Sequence, residues 1–269
     1  MPRSFASRPR IRTAGIAALC LGLASAARAG DLITFETRPN GNTPTDDAPL
    51  LNPYDIDGGG TVRFFFDTND NNTFEEGVDV LPRFEQVGED GDDGFLSSQV
   101  GGGTHDRARP GFRSQLGDYF LRQPDGIGTL PGPFLIVYDT AQAIRGFSGE
   151  IWDIDGQPRA GVTEQWRVDV LNARGDVLAM LPSPLGVDAS PGSLDSLPWN
   201  FGFEGLPDGV KAIRLTFTGT KGDGIGLAFN NFSPTFAVAG SVVPEPASVV
   251  LLGLGLGLAV AAPALLRRR

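Results

Sequence analysis

Oxygen-bearing side chains at every second position mark the clearest candidate chemistry in the chain. They fall in Asp67-Thr68-Asn69-Asp70-Asn71-Asn72-Thr73. Calcium takes about six to eight hard oxygen ligands, and alternate side chains on one loop can bring several of them to a single ion. The loop departs from the helix-flanked calcium loop in two places. Asn72 stands where a glycine would make the sharp turn, and Val78 where a bidentate glutamate would close the shell. Two readings stand side by side: a calcium loop with ligands Asp67, Asn69, Asn71 and Thr73, or a polar turn that caps its own backbone. Asp55-Ile56-Asp57-Gly58 and Asp153-Ile154-Asp155-Gly156 repeat one tetrapeptide, in which Asp-Gly is first a turn signal. Glu89-Asp90-Gly91-Asp92-Asp93 reads as a solvated acidic loop.

Catalytic residues are scarce by comparison. His105 is the single histidine, beside Asp106 in a glycine-rich stretch, and no Gly-x-Ser-x-Gly elbow accompanies it. The single cysteine, Cys20, lies near the amino end. Carboxylates are abundant, yet no pair is spaced in a way that marks a glycosidase. Trp152, Trp166 and Trp199 have rings able to stack on sugars, but each sits in a strand pattern whose inward positions are apolar, which favours a place in the core. The chain is therefore read as a non-enzyme, with a surface hydrolase acting on glycan or ester as the alternative.

The elements that must hold these residues are strands. With 37 glycines and 21 prolines punctuating short apolar runs, the chain has the pattern of an antiparallel β-sandwich. Strands are expected at Leu32–Glu36, Thr61–Phe66, Phe95–Ser98, Tyr119–Leu121, Phe134–Tyr138, Gly149–Asp153, Gln165–Val170, Val177–Leu181, Trp199–Phe203, Ile213–Phe217 and Gly226–Phe232. Trp166, Val168 and Val170 alternate with Arg167 and Asp169, so the first set faces in and the second out. The stretch 85–113 is expected to be mostly loop.

The termini differ in kind from this body. Arg3, Arg8, Arg10 and Arg12 precede an apolar stretch from Ala14 to about Ala24, then Ala27-Arg28-Ala29. That order describes a secretory signal peptide over 1–29, with Ala27 and Ala29 as the small residues of an Ala-x-Ala cleavage site and Gly30 as the expected mature start. At the other end, Ala247 to Leu266 is a run of 20 uncharged residues followed by Arg267, Arg268 and Arg269. Such a run spans roughly 30 Å as a helix, the thickness of a bilayer core, and the arginines hold its end on the cytoplasmic side. Val243-Pro244-Glu245-Pro246-Ala247 stands just before it, extended by its prolines. Residues 237–243 form a linker.

Together the Pro244-Glu245-Pro246 motif, the apolar helix and the terminal arginines resemble the PEP-CTERM sorting signal, here over 244–269. The resemblance implies an exopolysaccharide-producing Gram-negative host. It also implies that an exosortase, a membrane-embedded cysteine protease-transpeptidase, recognises the motif and removes the tail. The protein would then be exported through the inner membrane, held there transiently, and released to the cell surface or the extracellular biofilm matrix.

Ile33-Thr34-Phe35-Glu36 and Leu227-Ala228-Phe229-Asn230-Asn231-Phe232-Ser233 resemble the first and last strands of jelly-roll ectodomains on PEP-CTERM proteins and of carbohydrate-binding modules. This resemblance implies a jelly-roll-like sandwich over 30–236 and exopolysaccharide as a partner. It further implies a structural calcium held near Glu36 and Asn230, where asparagine replaces the usual carboxylate. Between Gly30 and Pro246, 14 basic residues face 32 acidic ones, a net of 14 − 32 = −18. So acidic a surface repels nucleic acid and suits solubility or divalent cations.

Overall fold

Alternating apolar residues force the strands of this chain into two layers, because each strand has one face to hide. The computed structural model describes residues 27–29, 32–57, 59–88, 95–96, 106–124, 128–155, 161–186, 194–222 and 224–237. In chain order these form β1 (Ala27–Ala29), β2 (Tyr54–Asp55), β3 (Thr61–Phe66), β4 (Arg83–Gln86), the short helix α1 (Arg113–Leu116), β5 (Tyr119–Arg122), β6 (Phe134–Asp139), β7 (Ile144–Trp152), β8 (Trp166–Asn172), β9 (Val177–Pro182), β10 (Pro198–Phe203), β11 (Val210–Phe217) and β12 (Ala228–Ala237).

One sheet has the order β10-β7-β12-β5-β4, with β1 also paired to β12. The other runs β2-β3-β6-β11-β8-β9. Every pairing is antiparallel. The inner faces meet in an aromatic core. Phe64 of β3 and Phe229 of β12 lie 6.0 Å apart across the two sheets. Phe35, Phe134, Phe201 and Phe232 also contact the Phe229 ring. Gly149 of β7 leaves room for this packing, since a Cβ there would come within 2.8 Å of the Phe201 ring.

The expected strands at 61–66, 119–121, 134–138, 165–170, 177–181 and 199–203 are present within a residue or two, while those expected at 149–153, 213–217 and 226–232 are present as the longer β7, β11 and β12. Trp166, Val168 and Val170 face the core as the alternation requires. Asp169, expected outside, is on the outer face but buried, because Arg167 and Arg214 both reach its Oδ2, at 2.8 and 3.3 Å. Two expectations need correction. Leu32–Glu36 makes only an isolated bridge, Ile33 to Phe232, since Phe35 turns to φ +62. Phe95 and Leu96 lie in a turn and plug a second hydrophobic cluster. The short strands β2 and β4 were too brief to show periodicity.

Among the described residues, no helix is long and apolar enough to cross a membrane. The run 247–266, the motif Pro244-Glu245-Pro246, the cluster Arg267-Arg268-Arg269, His105 and the loop 89–93 all lie outside the described residues.

The Phe229 ring is the hinge of this packing. Phe229→Ala is expected to cost about 3–5 kcal/mol of stability, read as a lowered urea midpoint with m unchanged.

Candidate functional site

The outer face of the β7–β12 sheet is unusual in being covered. Trp152 of β7 and Ala228 of β12 point away from the main core and are sealed by Phe95, Leu96, Leu116 and Phe120. Beside this cover an open cleft of about 940 Å³ runs between α1, the 32–36 segment and β7. Its floor is Glu150, only 6% exposed. Gln115 Nε2 donates to Glu150 Oε1 at 2.7 Å, while Trp152 Nε1 and Asn231 Nδ2 donate to Oε2 at 3.0 and 2.8 Å. Three neutral donors thus hold this carboxylate in one orientation.

Asn231 reaches Glu150 because the chain bulges there. It sits at φ +51, at a register shift between Asn230 and Ser233 against β7. A bulge in this way re-aims a side chain onto a sheet face. Asn231 Nδ2 also donates to the Gln115 carbonyl at 2.7 Å, tying α1 to β12.

Glu36 and Asn230, named from the two ends of the sequence, come to the same turn. Glu36 Oε1 accepts the Asp118 and Tyr119 amides at 2.7 and 3.2 Å. Asn230 Nδ2 donates to the Leu116 carbonyl, and its Oδ1 accepts the Asn231 amide at 2.8 Å. Asn230 therefore meets the turn with a donor, where a calcium ligand would offer a lone pair. The pair clasps the 116–119 turn through its backbone and does not fit a shared ion. Glycine is required at 117 by its φ of +78, and a Cβ there would also push the Glu36 carboxylate off the turn.

The Asp67 loop is organised around Asp67 itself, which is 1% exposed. Its Oδ1 and Oδ2 accept the Asn71 and Asn72 amides at 3.2 and 2.7 Å. Asn71 Oδ1 accepts the Thr73 amide at 2.8 Å. Asn72 takes the left-handed conformation at φ +59, the backbone geometry that a glycine would otherwise supply. Glu75 rather than Val78 closes the loop, accepting Asn69 and Asn71 side-chain amides at 3.0 Å each. Asp79 caps it by accepting the Thr68 and Glu75 amides.

One cluster was not legible in the sequence as a site. Asp153, Asp155 and Asp195 bring carboxylate oxygens within 4.8 Å of one another, a separation that ligands of one divalent ion could share. Asp153 and Asp155 belong to the repeated tetrapeptide and read as a turn. Asp195 arrives from 40 residues further on, where Asp153 Oδ1 accepts the Ser196 amide at 2.6 Å. Buried Glu164 lies alongside, its Oε2 3.4 Å from Lys221 Nζ, which is also 3.4 Å from Asp155 Oδ1. Arg109 reaches Asp195 at 3.3 Å. Burial pushes Glu164 up to about 8, against the attraction of Lys221 and with the help of Asp155. Burial and then Asp155 raise Asp153, and burial raises Asp155.

Trp152 and Trp166 are 1% and 0% exposed and closed to any sugar. Trp199 is half-buried, its ring 5.2 Å from Phe201.

No family model and no curated protein matches this sequence. Similar solved structures include the K3 adhesin domain of Lys-gingipain from Porphyromonas gingivalis W83, at 14% identity over 56% of this chain and 91% of that one, with a TM-score of 0.28. The CBM22-1 xylan-binding domain of Xyn10C from Paenibacillus barcinonensis is another, at 10% identity over 80% and 99%, with a TM-score of 0.25.

The Glu164 environment sets a pH dependence. With a folded pKa raised to about 8 from 4.5, the folded chain keeps a proton that the unfolded chain sheds. Stability therefore falls as pH rises from about 5 to 8. Glu164→Gln is expected to remove that share of the slope, on the order of a few kcal/mol, measured as denaturation midpoints across this range.

Proposed function

We propose that this chain is an exported cell-surface or extracellular-matrix protein whose jelly-roll-like sandwich binds or organises polysaccharide without turning it over. The observation that carries the reading is the cleft floored by Glu150. Its carboxylate and the amides of Gln115 and Asn231 form one oriented network joining β7, α1 and β12. Fixed amide and carboxylate groups in a concave site are suited to the paired hydroxyls of a sugar. Glu150 accepts from three fixed donors, which favours a positioning role over shuttling a proton.

The sorting reading rests on Pro244, Glu245 and Pro246 and on Arg267, Arg268 and Arg269 as a tail processed by an exosortase. A structural calcium is proposed at Asp67, Asn69 and Asn71. The left-handed Asn72 and the closing Glu75 support that placement.

Titrating the purified protein with a panel of neutral, acidic and amino-sugar polysaccharides tests the binding reading. Saturable binding is expected, weakened at least ten-fold by Asn231→Ala, with no new reducing ends. Release of reducing ends that one carboxylate substitution abolishes would instead establish a hydrolase. Calcium is expected to raise the thermal midpoint and chelator to lower it, with both responses lost in Asp67→Asn. Replacing Glu245 or deleting the three arginines is expected to leave the protein in the membrane fraction, and unchanged release would sink the sorting reading.

A further inference from the structure

The first described strand lies inside the segment that reads as leader. β1 pairs antiparallel with the end of β12, with Ala27 opposite Ala237, Arg28 opposite Phe236 and Ala29 opposite Thr235. A few residues on, Ile33 and Phe232 exchange both backbone hydrogen bonds, at 2.8 and 3.0 Å, along the same side of β12. The start of the domain thus runs beside its last strand. On the opposite side β12 pairs with β7, and the Ala237 amide donates to the Ala143 carbonyl at 3.0 Å. The compact unit begins at Ala27.

A chain that began at Gly30 would leave the β1 side of Thr235–Ala237 without its strand. That edge stands where β12 hands over to the linker and tail, and an unpaired sheet edge is a template for pairing with other chains. The sequence contains a second small-x-small site that avoids this loss. Ala24-Ser25-Ala26 ends one residue before β1 and follows an apolar stretch from Ala14 to Leu23 that is long enough for a leader core. Both alanine pairs satisfy the small-residue requirement, so local sequence does not separate them. The strand pairing does.

We propose that the leader is removed after Ala26, so that Ala27 is the mature amino terminus and Ala27–Ala29 is the first strand of the exported domain. This rests on reading residues 1–29 as carrying a secretory signal. The cut at Ala26 keeps all the paired residues of β1, and Arg28 stays with the domain.

Expressing the full chain in a Gram-negative host and sequencing the amino terminus of the exported protein tests the proposal. Ala27 is the expected first residue. Gly30 would overturn the proposal while leaving the secretory leader intact, and a retained Met1 would overturn the leader reading itself. Substitution gives a second discrimination. Ala26→Leu is expected to block or displace processing, whereas Ala29→Leu leaves the terminus at Ala27; the reverse pattern overturns the proposal. Deleting Ala27–Ala29 from the full chain is expected to lower the thermal midpoint of the exported protein by about 2–4 °C or more. An unchanged midpoint would remove β1 from the working fold.

Discussion

The contact between Phe64 and Phe229 across the two sheets is the constraint on which the rest depends. Each ring lies on a strand with partners on both sides, so shifting either strand by one residue would turn its phenylalanine to the outer face. The strand carrying Phe229 is also the most connected, pairing with β7, β5 and β1. Once it is in register, Asn230 and the bulged Asn231 necessarily reach the outer face, where α1 and the Glu36 segment arrive. The cleft is a by-product of how the core is packed.

The outer faces are managed by polar devices rather than left bare. Arg122 is almost fully buried, bonded to Glu85 and Asp47, with its guanidinium 4.8 Å from the Phe95 ring centre. Gln123 imitates a strand by donating to the Ile225 carbonyl and accepting the Leu227 amide, at 2.8 and 2.7 Å. Asp169 is shared by two arginines. These arrangements satisfy buried groups that would otherwise cost stability. The Asp153 cluster is the contrast. Asp153, Asp155, Glu164 and Asp195 face Lys221 and Arg109, and burial, with Asp155 beside it, raises the Glu164 pKa against the pull of Lys221.

Much of the fold could be read directly. The alternation at Trp166–Val170 located β8 and its buried face, because that signal lies within a few residues. The site was read only in pieces. Glu36 and Asn230 were named together through likeness to other ectodomains, and they do meet, but through the backbone of the 116–119 turn. Glu150 and Gln115, the heart of the cleft, carry no local mark. A glutamate between glycine and isoleucine in a strand looks like any solvated position, and its burial comes from α1.

The sequence by itself determined the class of the domain, the position of most strands, the reading of a leader and a sorting tail, and the acidity of the body. These follow from periodicity, turn residues and charge, which are properties of neighbouring residues. Only the tertiary structure decided that Trp152 is sealed beneath a second cluster, that Asp195 joins Asp153 and Asp155, that Asn231 is turned onto Glu150, and that Ala27–Ala29 serves β12 as a strand. Each of these joins groups far apart in the chain. Their distances are set by sheet register and by what covers each face, and no local pattern encodes either.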